Sequence, residues 1–306
     1  MEIEKTQGLI AATHTPMSAD GSINPALVEK QAELLARNGV LGAFICGTTG
    51  EGVSLTVEER MQMADHWAAV AKKPLRVIVH VGHTSIKDSR ALAAHAQKTG
   101  AWGIGSCAPF FFKPAGVDDL VAFCAEVAAA APGLPFYYYH IPSVTGVDVR
   151  MADFLPTAGA KIPTLAGVKF TSSDFMDLGL SLRVEGGRYD LLSGWDEMMI
   201  CALAMGARGS VGSTFNFAAP LYLELREAFK AGDLATAREC QHKSISLVEC
   251  FKHKRPSPLA YAKAIMRTIG LDAGPVRLPL VNLTEEQHKG LRSELERIGF
   301  FEFCCK

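Results

Sequence analysis

Leu165-Ala-Gly-Val-Lys-Phe170 is an apolar run holding a single charge, and residues 174–183 behind it read as a helix. A short, continuous apolar run is the pattern of a strand buried on both faces. The same strand-then-helix unit recurs along the chain. Strands are predicted at 9–13, 42–46, 76–81, 103–107, 135–139, 165–170, 189–193 and 209–212. Helices follow them at 25–38, beyond Thr56, and at 85–98, 117–130, 151–158, 174–183, 196–205 and 220–231. Thr56 with Glu59 three residues on makes a capping box that starts the second helix.

Such alternation implies parallel strands joined by helical crossovers. Eight units within residues 1–232 fit a closed (β/α)8 TIM barrel of the α/β class better than an open doubly wound sheet. An open sheet would carry a nucleotide fingerprint after an early strand. Gly47-Thr-Thr-Gly-Glu-Gly52 is neither G-x-G-x-x-G nor a P-loop. Residues 233–306 read as a C-terminal helical extension packed on the barrel, with helices at 234–251, 258–269 and 285–298.

The chain has 306 residues, 31 basic against 32 acidic, and a formal net charge of −1. No basic excess points to nucleic acid, and no charged tail to a membrane surface. The most apolar stretch, 121–141, is interrupted by Glu126, Pro132, Gly133 and Pro135, against a membrane span. Eight cysteines form no C-x-x-C pair. Met1-Glu2-Ile3-Glu4-Lys5 leads straight into a strand with no secretory signal. A reduced, cytoplasmic protein is expected, with a small molecule or another copy of itself as partner.

In a barrel of this kind, the site lies at the C-terminal ends of the strands. Lys169 stands there in an apolar setting that strips its hydration and lowers its pKa. A neutral amine attacks a ketone to form a Schiff base. Tyr139 closes the neighbouring strand, so the pair suggests carbonyl chemistry without a metal. The bland readings are a lysine snorkelling to solvent and a tyrosine that merely packs. The Gly47–Gly52 turn is either an ordinary glycine turn or a nest of N–H groups suited to a carboxylate. Thr13, Thr15, His80, His83, His140, Thr171, Asp196, Glu197, Ser213, Thr214 and Asn216 also fall at strand ends. No carboxylate accompanies the histidines at metal-binding spacing, and no metal is expected.

Three motifs carry a resemblance. They are Gly47-Thr-Thr-Gly-Glu51, Tyr139-His-Ile-Pro-Ser-Val-Thr-Gly146 and Gly167-Val-Lys-Phe170. In this order, one per strand, they resemble the dihydrodipicolinate synthase / N-acetylneuraminate lyase family of class I aldolases. Residues 136–147, Ala108-Pro-Phe-Phe-Phe-Lys-Pro114 and Arg277-Leu-Pro-Leu280 look most like its sialic acid lyase branch. Val144 stands where the synthase branch usually carries an arginine.

The resemblance implies roles. Lys169 forms the Schiff base with the substrate C2 ketone, and Thr48 and Thr49 hold the adjoining carboxylate. Tyr139 takes the proton of the C4 hydroxyl as the C3–C4 bond breaks. Thr171 lines the site, and Gly194, Asp196, Glu197 and Ser213 bind the hydroxylated tail. The protonated imine is the electron sink, so no cofactor is expected. The implied reaction is reversible cleavage of N-acetylneuraminate (sialic acid) to N-acetylmannosamine and pyruvate, in a homotetramer. Many members supply a relay tyrosine from a neighbouring subunit in the segment matching Phe110, Phe111 and Phe112. Here it holds only phenylalanine, so Thr49, water or the substrate's carboxylate must assist Tyr139. Two other readings stay open: an aldolase or dehydratase for a different 2-keto acid, and a binding protein without turnover. Retention of both Lys169 and Tyr139 favours catalysis.

Overall fold

A computed structural model describes residues 3–71 and 75–306. Eight parallel strands close into a barrel in sequential order, β1 to β8, with β8 pairing back to β1. They are β1 (Leu9–Ala12), β2 (Gly42–Ile45), β3 (Arg76–His80), β4 (Gly103–Cys107), β5 (Phe136–His140), β6 (Leu165–Phe170), β7 (Asp190–Ser193) and β8 (Gly209–Gly212). The (β/α)8 expectation is met. Of the stretch expected to lead straight into a strand, Met1 and Glu2 lie outside the described residues. Ile3, Glu4 and Lys5 carry no strand.

The crossover helices are α1 (Val28–Arg37), α2 (Val57–Val70), α3 (Ile86–Lys98), α4 (Val117–Ala129), α5 (Met151–Lys161), α6 (Phe175–Ser181), α7 (Met199–Met205) and α8 (Phe215–Lys230). Their starts follow local chemistry. The Thr56–Glu59 capping box is formed at α2, and Ser85 and Asp174 accept N–H bonds at the heads of α3 and α6. One boundary differs from expectation. Proline suits a first turn, which places the start of α8 at Pro220 in sequence; the helix begins at Phe215 and kinks at Ala218 (φ −139°). The chain thereby makes an extra turn that carries Asn216, whose side chain donates to the Ala12 carbonyl at 2.7 Å.

Beyond the barrel, α9 (Leu234–Glu249), α10 (Pro258–Thr268) and α11 (Glu285–Arg297) wrap the outside. The extension is less uniformly helical than its composition suggests. Residues 271–284 form an irregular stretch that runs back towards the barrel mouth, where the Met17 N–H donates to the Ala273 carbonyl at 3.0 Å. At the chain's end, Cys304 and Cys305 are buried; the Cys305 N–H donates to the Phe217 carbonyl, and burial pushes its thiol up to about 12. Cys305 is thus a packed, structural thiol rather than a reactive one.

Two apolar layers result. Leu9, Val79, Phe136 and Val168 point outward into the layer under the helices. Ile10, Phe44, Ile78, Tyr137, Tyr139, Leu192 and Val211 fill the barrel interior. Among the described residues, no helix is long and apolar enough to cross a membrane.

Candidate active site

Strict alternation along β6 would turn Lys169 away from the interior, because Ala166 faces in and Lys169 is three residues on. A bulge prevents this. Phe136 pairs with Leu165 but Tyr137 pairs with Gly167, leaving Ala166 as an extra residue. Downstream the facing is inverted: Val168 and Phe170 point to the helical layer, and Lys169 comes into register with inward-facing Tyr139. Gly167 is required at the bulge, since a Cβ there would sit 1.8 Å from the Asp190 carbonyl oxygen.

Lys169 is 4 % exposed, and its ammonium lies 4.1 Å from the Tyr139 ring centre and 4.5 Å from that of Phe44. Desolvation lowers its pKa from 10.5 to about 7, against the pull of the Asp196 carboxylate. The snorkelling alternative therefore fails, and a sizeable fraction of free amine exists at neutral pH. Tyr139 is pushed up to about 12 by burial, with the Thr48 hydroxyl acting in the opposite sense. Thr48 Oγ1 lies 3.4 Å from Tyr139 Oη. Phe44 and His80 close around the phenol, their ring centres 5.7 and 5.9 Å from it. His80 is kept neutral by burial, and buried Arg60 braces this strand end by donating to the His80 and Gly82 carbonyls.

The loop after β2 carries Thr48 and Thr49. Its internal bonds engage the N–H groups of Glu51 and Gly52, which donate to the carbonyls of Thr48 and Gly47. The N–H groups of Thr48 and Thr49 find no partner among the described residues. Free donors of this kind suit the nest alternative.

Across the mouth, Asp196 is buried. Its Oδ2 accepts from the Thr214 N–H at 2.9 Å and the Thr214 hydroxyl at 2.6 Å, while Oδ1 has no partner among the described residues. Burial raises its pKa to about 6, helped by Glu197 and opposed by the Thr214 bonds. A buried acceptor left without a partner suits a hydroxyl donor. A Cβ at Gly212 would collide with Oδ1 at 1.8 Å, so this strand end must be glycine. The Asp196 carbonyl is held from α9, by Gln241 at 3.2 Å and Ser244 at 3.4 Å.

Thr171 is buried one residue beyond β6, and Gly194 packs against it; a Cβ at Gly194 would lie 1.9 Å from Thr171 Oγ1. The Gly194 N–H is engaged by the Phe170 carbonyl at 2.7 Å. Ser213 is half-buried beside Thr214. Glu197 is less free than the sequence suggests: Lys252 forms an ion pair with it and lies 5.0 Å from the centre of the Trp195 ring. Sequence reasoning passed over Lys252, Phe44 and Arg60, and did not identify Thr214 as the partner of Asp196. A cavity of about 290 Å³ is lined in part by Thr48, Tyr139, Cys107, Phe110, Val144 and Leu280. Among the described residues no metal-holding group of three or more His, Cys, Asp or Glu is present.

Residues 5–298 match the dihydrodipicolinate synthetase family. The N-acetylneuraminate lyase of Rattus norvegicus is 42 % identical over 304 residues, covering 98 % of this chain and 95 % of the relative. Among solved structures, the Proteus mirabilis N-acetylneuraminate lyase superposes with a TM-score of 0.94 at 42 % identity, over 97 % of this chain and 100 % of that one. A Ruminococcus gnavus sialic acid aldolase, solved as a catalytic lysine mutant, gives 0.92 at 27 % identity, over 98 % of this chain and 100 % of that one. With its eight-stranded barrel and nearly full-length agreement, the chain belongs to the dihydrodipicolinate synthetase family.

Proposed function

We propose that this protein is a class I aldolase that reversibly cleaves N-acetylneuraminate to N-acetylmannosamine and pyruvate. The observation that carries the reading is the buried Lys169 amine, brought to about 7 and set against the face of Tyr139. The lyases and sialic acid aldolase above support the substrate.

The neutral Lys169 Nζ attacks the C2 ketone. An N–C bond forms, the ketone oxygen leaves as water with the two amine hydrogens, and uptake of one proton from solvent leaves a protonated imine. The substrate carboxylate is held by the free N–H groups of Thr48 and Thr49. Electrons of the C3–C4 bond pass to the imine nitrogen, giving an enamine and freeing the sugar aldehyde. Tyr139 takes the C4 hydroxyl proton while passing its own towards Thr48 and the substrate carboxylate. Its raised pKa disfavours a resting phenolate, but the iminium charge beside it favours one during reaction. Protonation at C3 and addition of water then release pyruvate and restore the amine. Asp196 Oδ1, the Gly194 carbonyl and Ser213 bind the hydroxylated tail, with Glu197 shared between the tail and Lys252.

The homotetramer and the cytoplasmic location belong to the same proposal. Phe111 and Phe112, 76 % and 85 % exposed, support a subunit contact at the mouth.

The test is borohydride trapping with pyruvate, read by peptide mass spectrometry, alongside release of N-acetylmannosamine from N-acetylneuraminate. A reduced pyruvyl adduct on Lys169 with sugar release is expected. Trapping without cleavage of N-acetylneuraminate would assign a different 2-keto acid. No adduct on folded protein would end the aldolase reading.

A further inference from the structure

Glu51 closes the Gly47–Glu51 loop, and its carboxylate is bound by the C-terminal extension. Its side chain is 1 % exposed, and its carboxylate meets Lys263 Nζ of α10 at 2.8 Å. Its other oxygen accepts the Arg277 N–H at 2.9 Å. Lys263 is 3 % exposed and also donates to the Pro275 carbonyl at 2.7 Å. Glu51 itself adopts a left-handed backbone (φ 54°, ψ 30°), unfavourable for a residue with a Cβ. Gly52 behind it has no room for a side chain, since a Cβ there would lie 1.9 Å from the Cys46 carbonyl oxygen. Arg277 adds bonds to Gly21, Ser54 and Glu59.

A buried ion pair is a poor source of net stability, because both charges lose their water. It is, however, an effective way to fix geometry when one partner sits in a strained loop. The two threonines whose N–H groups are free lie two and three residues before Glu51, and the Thr48 carbonyl accepts the Glu51 N–H. Moving Glu51 therefore moves those donors.

We propose that Lys263 and Glu51 are positioning residues: the C-terminal extension holds the Thr48–Thr49 nest in the geometry that receives the substrate carboxylate. This rests on the reading that Thr48 and Thr49 bind that carboxylate. The role differs from general bracing, because it bears on carboxylate-bearing ketones and spares the lysine's reaction with a ketone that has no carboxylate.

The experiment compares borohydride trapping of pyruvate and of acetone by wild type, Lys263→Met and Glu51→Gln. Both ketones form an imine on Lys169 with loss of water, and borohydride supplies the hydride that fixes it. Glu51→Gln keeps the shape and an acceptor for the Arg277 N–H, so it guards against a misfolded Lys263→Met. The half-saturating pyruvate concentration should rise about ten-fold or more in the variants, with acetone trapping unchanged. Equal loss with both ketones in the folded variants would reduce the pair to a general structural role and overturn the proposal. Unchanged pyruvate trapping would overturn it too, leaving the aldolase reading intact. A wild type that traps acetone but shows no preference for pyruvate would refute the carboxylate nest itself.

Discussion

Tyr139 and Lys169 are register partners across the β5–β6 ladder, and they are so because Ala166 is an extra residue in β6. The direction of the Lys169 side chain is set by backbone pairing before any side chain contributes. Gly167→Ala should therefore disturb chemistry from a position that bears no functional group. Its Cβ would meet the Asp190 carbonyl, so the strand must shift or unpair. A loss of about 1–3 kcal/mol by denaturant melting is expected, with slower pyruvate trapping in the folded fraction. Wild-type trapping and stability would contradict the bulge's role.

Removing the two central groups should separate their roles. Lys169→Ala should abolish both cleavage and covalent capture. Tyr139→Phe should lower cleavage by roughly 10²–10⁴-fold while leaving pyruvate trapping measurable. Normal turnover by Lys169→Ala would sink the imine mechanism, and near-normal turnover by Tyr139→Phe would remove the phenol from the proton path.

The Lys169 pKa predicts two pH dependences. Imine formation should quicken as pH rises and level off above about 7. Asp196→Asn removes the carboxylate that raises this pKa, so its plateau should begin at lower pH. Stability follows from linkage. Between about 7 and 10.5 the unfolded chain holds the Lys169 proton and the folded chain does not, so this group's contribution to stability rises with pH. Lys169→Met should therefore melt higher than wild type near neutrality, the gain narrowing towards pH 10.5. Thermal melts across that range check it; a constant difference would mean the folded lysine keeps its proton.

Thr214 should matter for the sugar and not for pyruvate. Thr214→Val removes the 2.6 Å bond to Asp196 and leaves a buried carboxylate short of a partner. A hydrogen bond to a charged group contributes about 1.5–3 kcal/mol. The KM for N-acetylneuraminate should rise about ten-fold or more, with pyruvate trapping little changed. Steady-state cleavage and trapping on one preparation test this; parallel loss of both would mean that Asp196 orients Lys169 rather than the sugar.

The barrel was legible because each strand is a short apolar run followed by a capped or periodic helix. Lys169 was legible because a charge inside such a run demands a reason. The same signal stands in Ala260-Tyr-Ala-Lys-Ala-Ile-Met266, where Lys263 interrupts an apolar helix, but nothing local says that its partner is Glu51, more than two hundred residues earlier. Pairing of Glu197 with Lys252 and of Asp196 with Thr214 was hidden likewise, since contacts between distant segments leave no periodicity. The bulge at Ala166 is invisible because an apolar run reads the same in either facing. The early start of α8 was masked by Pro220, whose local preference is overridden by the turn carrying Asn216.

The extension reaches both sides of the mouth: Gln241 and Ser244 hold the Asp196 carbonyl, and Lys263 and Arg277 hold Glu51. During synthesis the N-terminal part of a chain emerges and begins to fold first. A nascent barrel with all eight strands outside the ribosome would already own its lysine and tyrosine, but not the outer supports of Glu51 or of Asp196. Competence for the full reaction would thus arrive late in translation, only after the segment up to Arg277 has emerged and docked.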